Sequence, residues 1–107
     1  MDSISTSLAV TVKNFAYARG YRIDGASYTR VNDLIGMALR EAEIARSPTA
    51  PQPEDAELQR GMVEFAEATM AAAKSDETNM VGVAHVESGF AVVRRRGIFP
   101  FSAILRR

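Results

Sequence analysis

The sequence predicts an α+β fold: three helices, the second and third an antiparallel hairpin, packed on a C-terminal antiparallel β-hairpin. Three observations lead there. Residues 53–74 place Leu58, Met62, Phe65, Thr69 and Ala72 at alternating steps of four and three, the mark of a helix with one face on a core. Residues 80–87 and 90–96 change to a period of two on either side of Ser88-Gly89, a two-residue turn signal. Residues 47–52, followed by Pro53, make a short stiff link of the length that joins antiparallel helices.

Taken in order, the opening supports two readings. As a helix over 3–19, Leu8, Val12, Phe15 and Ala16 form a stripe and Gly20 suits a C-terminal cap. As a strand, Ile4, Thr6, Leu8, Val10 and Val12 alternate with Ser5, Ser7, Ala9, Thr11 and Lys13. The β-branched Val10-Thr11-Val12 favours strand, but Ala16 and Ala18 favour helix, and helix is the reading adopted. Residues 20–28, with two glycines and an Asp-Gly step, read as a loop.

Helix two is expected over 28–46. Val31, Leu34, Ile35, Ala38, Ala42 and Ala45 form its stripe, with Leu39 beside it and Ser27 or Thr29 as its cap. Gly36 within it marks a close helix crossing. Helix three starts with Pro53 at the first helical position and Glu54, Asp55 and Glu57 near the positive dipole end. Ala66, Met70 and Ala73 widen its stripe, and Lys74 sits near the negative end. In the hairpin, Val86 faces Ala91, Ala84 faces Val93 and Gly82 faces Arg95 on a small apolar surface. His85 with Val92, Val83 with Arg94 and Glu87 with Phe90 make the other, mixed face. Gly97 ends the strand. Residues 98–101 are an edge strand or an anchor before a last turn of helix docked by Ile104 and Leu105. No internal repeat or low-complexity segment stands out.

At 107 residues the chain has the size of one domain, and 47% hydrophobic with 24% charged residues is an ordinary globular composition. The absence of cysteine removes disulfides, thiolate zinc sites and cysteine nucleophiles, and it fits a reducing compartment. No apolar run has the length of a membrane span and the start lacks a basic leader, so a cytoplasmic location and no membrane partner are expected. The net charge is zero but uneven: +1 over residues 1–47, −5 over 48–80 and +4 over 81–107. Neutralisation within the fold or across a dimer is the favoured reading of that asymmetry, ahead of an external acidic partner.

The chemistry is sparse. His85, the one histidine, shares a strand face with Glu87, which would suit a general base, but no motif supplies a nucleophile; a half-buried hairpin histidine is the better reading. No metal-ligand spacing occurs, and Gly82, Gly89 and Gly97 are too scattered to cradle phosphate. Glu57, Glu64 and Glu67 read as a helix surface. No catalytic residue, metal or cofactor is therefore expected, and the chain is not read as an enzyme.

One cluster rises above this background. Tyr17, Tyr21 and Tyr28 fall within twelve positions and interleave with Arg19, Arg22 and Arg30. Tyrosine and arginine are interface anchors, and the same pairing suits single-stranded nucleic acid; the alternative is tyrosines that only cover helix ends. Arg94 and Arg96 are the second candidate, sharing one strand face while Arg95 points away; edge-strand protection is their simpler role.

Read as a strand, residues 4–12 give an opening that resembles a ribbon-helix-helix regulator: strand, short helix near Asn14 to Arg19, a loop at Gly20, then helix two. That resemblance implies dimerisation through the strand and major-groove readout by Ser5, Ser7, Ala9, Thr11 and Lys13. The leading expectation is a non-catalytic module that binds another protein as an inhibitor, adaptor or assembly factor, itself a homodimer. A DNA-binding regulator or antitoxin is the alternative, so nucleic acid is the second partner class.

Overall fold

The computed structural model describes residues 3–101, Ser3 by its backbone alone, and replaces the expected α+β layers with a helical bundle. In chain order the elements are α1 (Ser3–Ala18), β1 (Arg22–Ile23), α2 (Gly25–Ala45), α3 (Asp55–Ser75), β2 (Met80–Val81) and α4 (Val83–Arg96). β1 and β2 are the only strands among the described residues. They pair in parallel, Arg22 beside Met80 and Ile23 beside Val81.

The central helix is as its periodicity predicts. Gly61, Met62, Phe65, Ala66, Thr69, Met70 and Ala73 are buried along α3, while Glu57, Arg60 and Glu67 stay exposed. Its start differs slightly: Glu54 is the N-cap and Pro53 lies outside the helix. Phe65 anchors the core, with ring centroids 5.0 Å from Phe101 and 6.3 Å from Phe90, in tilted and edge-on contacts.

Residues 4–12 are helical, within α1, and bury Ser5, Leu8, Ala9 and Val12. The ribbon on which the ribbon-helix-helix resemblance rests is therefore not there. α2 starts earlier than expected because Asp24, not Ser27 or Thr29, caps it: the Asp24 carboxylate accepts the Ser27 N–H at 2.8 Å. Residues 25–28, expected as loop, are its first turn. Val31, Leu34, Ile35 and Ala38 are buried along it, but Ala42 and Ala45 are not, so its last turns reach beyond the core.

The largest correction is the C-terminal hairpin, which does not exist. Residues 83–96 are helix α4, with Ser88 and Gly89 in its middle. The buried residues Val86, Gly89, Phe90 and Val93 recur at steps of three, one and three, a helical stripe that competes with the period-two pattern in the same residues. Gly89 serves a close approach instead of a turn. A Cβ there would run into the Thr69 hydroxyl and backbone, so its absence lets α4 settle onto α3. The basic run Arg94-Arg95-Arg96 lies in the last turn, at the negative end of the helix dipole, and Gly97 closes the helix at φ 76°. Edge-strand protection has no object here.

The expected α2–α3 hairpin is also replaced. α3 packs along α4 and α1, and α2 packs along α1 and less extensively along α4. Residues 46–54, rich in proline, carry the chain across instead of straight back. The two helical hairpins are thus α1–α2 and α3–α4, each with a two-residue strand at its tip. After α4, residues 98–101 form a turn in which the Phe101 N–H donates to the Ile98 carbonyl at 2.8 Å, and Pro100 and Phe101 are buried. This is the anchor and not the edge strand. Ile104, Leu105, Arg106 and Arg107 lie outside the described residues.

The two tips are built alike, a repeat of geometry without a repeat of sequence. At the end of α1 the Tyr21 N–H reaches the Ala16 carbonyl and the Gly20 N–H the Tyr17 carbonyl, both at 3.0 Å. At the end of α3 the Thr78 and Glu77 N–H groups reach the Ala73 and Lys74 carbonyls at 3.1 and 2.9 Å. Both are Schellman-type caps with a left-handed residue at the same place, Gly20 at φ 87° and Glu77 at φ 59°.

Candidate partner-binding site at the hairpin tips

Pairing of the tips gathers side chains that are distant in sequence. In the strands Ile23 and Val81 point into the core, so their neighbours Arg22 and Met80 point out together. Tyr17, on the last turn of α1, is 42% exposed, and the Arg22 guanidinium lies 5.2 Å from its ring centroid. Lys13, one turn earlier, places its ammonium 6.0 Å from the Tyr17 ring and 5.0 Å from the Tyr28 ring on α2. Met80, exposed beside Arg22, extends this surface, and Val83, also exposed, follows at the start of α4.

Of the residues singled out by sequence, Tyr17, Arg22 and Tyr28 come together here. Tyr21 is half-buried against the core, and its carbonyl accepts a bond from Arg22 Nη1 at 3.2 Å. Arg19 turns away: its guanidinium stacks 3.5 Å from the Phe15 ring centroid and donates to the Phe15 carbonyl at 3.2 Å. Arg30 holds Glu87 on α4 at 2.9 Å. Arg94 pairs with Glu41 on α2 at 3.0 Å while lying over the Phe90 ring, and Arg96 approaches Glu64 on α3 at 3.9 Å. These three arginines tie helices together and do not join the tip surface.

Lys13, Met80 and Val83 were not anticipated as part of this surface. The spacing of Lys13 and Tyr17, four apart on one helix face, was a usable signal. Met80 had none, because only the parallel strand pairing brings it beside Arg22, and Val83 lies two residues beyond that strand at the start of α4.

His85 is a structural group. It is partnered by Asp76 and not by Glu87: Nε2 lies 2.7 Å from the Asp76 carboxylate, and Nδ1 accepts the Gly82 N–H at 3.0 Å. The Nδ1 lone pair is thus spent on a backbone donor at the start of α4. At the end of the bundle away from the tips, an open groove of about 260 Å³ runs between Glu57, Arg60 and Glu64 on α3 and residues 97–99. Its lining holds no histidine. Among the described residues no group of three acidic, histidine or cysteine side chains is placed to hold a metal, and no helix is long and apolar enough to cross a membrane.

The sequence matches no family model, and neither curated proteins nor solved structures show a significant likeness to it.

Proposed function

We propose that the chain is a small module that binds another protein through its paired hairpin tips. The observation that supports this reading is the exposed surface of Tyr17, Arg22 and Met80, gathered by the strand pairing with half-buried Lys13 near the Tyr17 ring; aromatic, arginine and methionine side chains are the types enriched at protein interfaces. His85, the one histidine, is engaged by the Asp76 carboxylate and the Gly82 N–H.

The same reading includes a homodimer, for which the outward face of α1 is the best-supported seam. Thr6, Ser7, Val10 and Asn14 are exposed there and none is charged, whereas the outward face of α3 carries Glu57, Arg60 and Glu67. A second copy meeting the uncharged face encounters no like charge, and depletion of charge is the compositional mark of interface centres.

The test is affinity capture from host lysate on the intact chain, with and without nuclease, repeated with Tyr17→Ala and Arg22→Ala. Nuclease-resistant capture of the same protein, lost in both variants while their melting temperatures stay within about 2 °C of the parent, supports the reading. Capture unchanged by both variants removes the tips from the interface. Sedimentation of Val10→Glu against the parent checks the dimer seam, the expected change being from dimer to monomer.

A further inference from the structure

We infer that the tip surface is built for an acidic protein segment, in which carboxylates flank an apolar side chain. This rests on the protein-binding reading and names the partner's chemistry.

Several cations of the molecule are already neutralised. Arg30, Arg46 and Arg94 each hold a glutamate at 2.8–3.0 Å, and Arg96 approaches one at 3.9 Å. Lys13 and Arg22 have no carboxylate within ion-pair distance among the described residues. Both instead sit on the Tyr17 ring, at 6.0 and 5.2 Å from its centroid. The ring quadrupole compensates only part of a cation's charge at an exposed site. An anion that reaches these two cations breaks no existing ion pair and gains charge-assisted hydrogen bonds to groups already held near their bound positions. Arg22 is held by its bond to the Tyr21 carbonyl, and Lys13 by lying between the two tyrosine rings.

Two further features select a protein over a nucleic acid. Met80 offers an exposed apolar side chain beside Arg22, its flexible thioether adapting to an aliphatic or aromatic partner, and Val83 is a second exposed apolar side chain at the start of α4. Asp24, Asp76 and Glu77 lie exposed on the same turns. A phosphate backbone, charged at every step, would meet those carboxylates, while a peptide with spaced acids can avoid them.

The experiment pans a phage-displayed random dodecapeptide library on the intact chain and measures selected peptides by fluorescence anisotropy, with a twelve-nucleotide oligothymidine in parallel. The expected selection is Asp or Glu within two or three positions of an aliphatic or aromatic residue. Dissociation constants should rise about tenfold or more on Lys13→Glu and on Arg22→Glu, but stay within about twofold on Arg95→Glu, which reverses an exposed cation away from the tips. Circular dichroism verifies that each variant is folded. Selected peptides without acidic enrichment, yet lost on Tyr17→Ala, overturn this inference and leave the protein-binding surface standing. Peptides indifferent to Tyr17, Lys13 and Arg22 overturn both. Oligothymidine that binds more tightly than any peptide and is lost on Arg22→Glu overturns the inference in favour of nucleic acid.

Discussion

The side-chain amide of Asn79 donates to the carbonyl of Gly20 at 3.2 Å, across fifty-nine residues of chain. The Asn79 backbone carbonyl also accepts the Arg22 N–H at 2.8 Å. One residue thus bonds to both ends of the first tip, and the outward alignment of Arg22 with Met80 depends on it. Asn79→Ala removes the side-chain bond and should lower stability by about 1 kcal/mol, the usual net worth of such a bond. The check is the denaturant midpoint together with amide exchange, which should quicken at Arg22 and Ile23 before the core.

The left-handed position after α1 is filled by Gly20 and its counterpart after α3 by Glu77. A side chain in that conformation costs about 1 kcal/mol relative to glycine. Glu77→Gly should therefore stabilise the protein by roughly 0.5–1 kcal/mol, and Gly20→Ala should destabilise it by about 1 kcal/mol. Paired thermal melts of the two variants read the opposite signs directly.

Gly36 and Gly89 are both buried in helices, and the same substitution should act on them in opposite directions. A Cβ at Gly36 would meet Ser5 and Arg40 at 3.5 Å or more, an ordinary contact, so Gly36→Ala gains helix propensity worth about 1 kcal/mol. At Gly89 the added carbon collides with the Thr69 backbone, and α4 must move off α3. Gly89→Ala should cost about 1–3 kcal/mol, the range for overpacking a tight contact. Urea titrations of both variants test the contrast.

The Asp24 carboxyl is held below the usual carboxylate range by the Ser27 N–H that it accepts. Because its folded pKa lies beneath the unfolded value of about 3.9, its contribution is present above that value and is lost as the pH falls through the folded pKa. Asp24→Asn keeps an acceptor for the cap and removes the titration. Urea midpoints taken from about pH 6 to about pH 2.5 should fall less steeply for Asp24→Asn than for the parent.

Much of α3 was legible in sequence because its apolar stripe, acidic first turn and Lys74 at the end all agree. The core of α2 was legible from its apolar stripe alone, and α1 only by weighing Ala16 and Ala18 against the β-branched Val10-Thr11-Val12. α4 was not: its β-branched residues and Ser88-Gly89 satisfied a hairpin pattern, while the buried set Val86, Gly89, Phe90 and Val93 satisfied a helical one. Local propensity does not separate the two, and packing of Gly89 on Thr69 decides the outcome. At the tips, the clustering of Tyr17, Arg22 and Tyr28 was visible as proximity along the chain. Met80 and Val83 were invisible because a parallel pairing of two residues per strand leaves almost no trace in composition. The ion pairs of Arg30, Arg94 and Arg96 were hidden because their glutamates lie far away in the sequence.

Residues 46–54 lie mostly exposed and join one helical hairpin to the other. The two halves meet through α1 on α3, α2 on α4, and the paired strands. Opened at this link, the chain becomes two fragments, 1–50 and 51–107, each presenting an apolar face that only the other covers. Alone, each should be weakly helical and prone to aggregate. Mixed in equal amounts, they should recover the helical circular dichroism of the intact protein and elute as a one-to-one heterodimer. Fold complementation of this kind would let the molecule report the proximity of any two proteins to which its halves are fused.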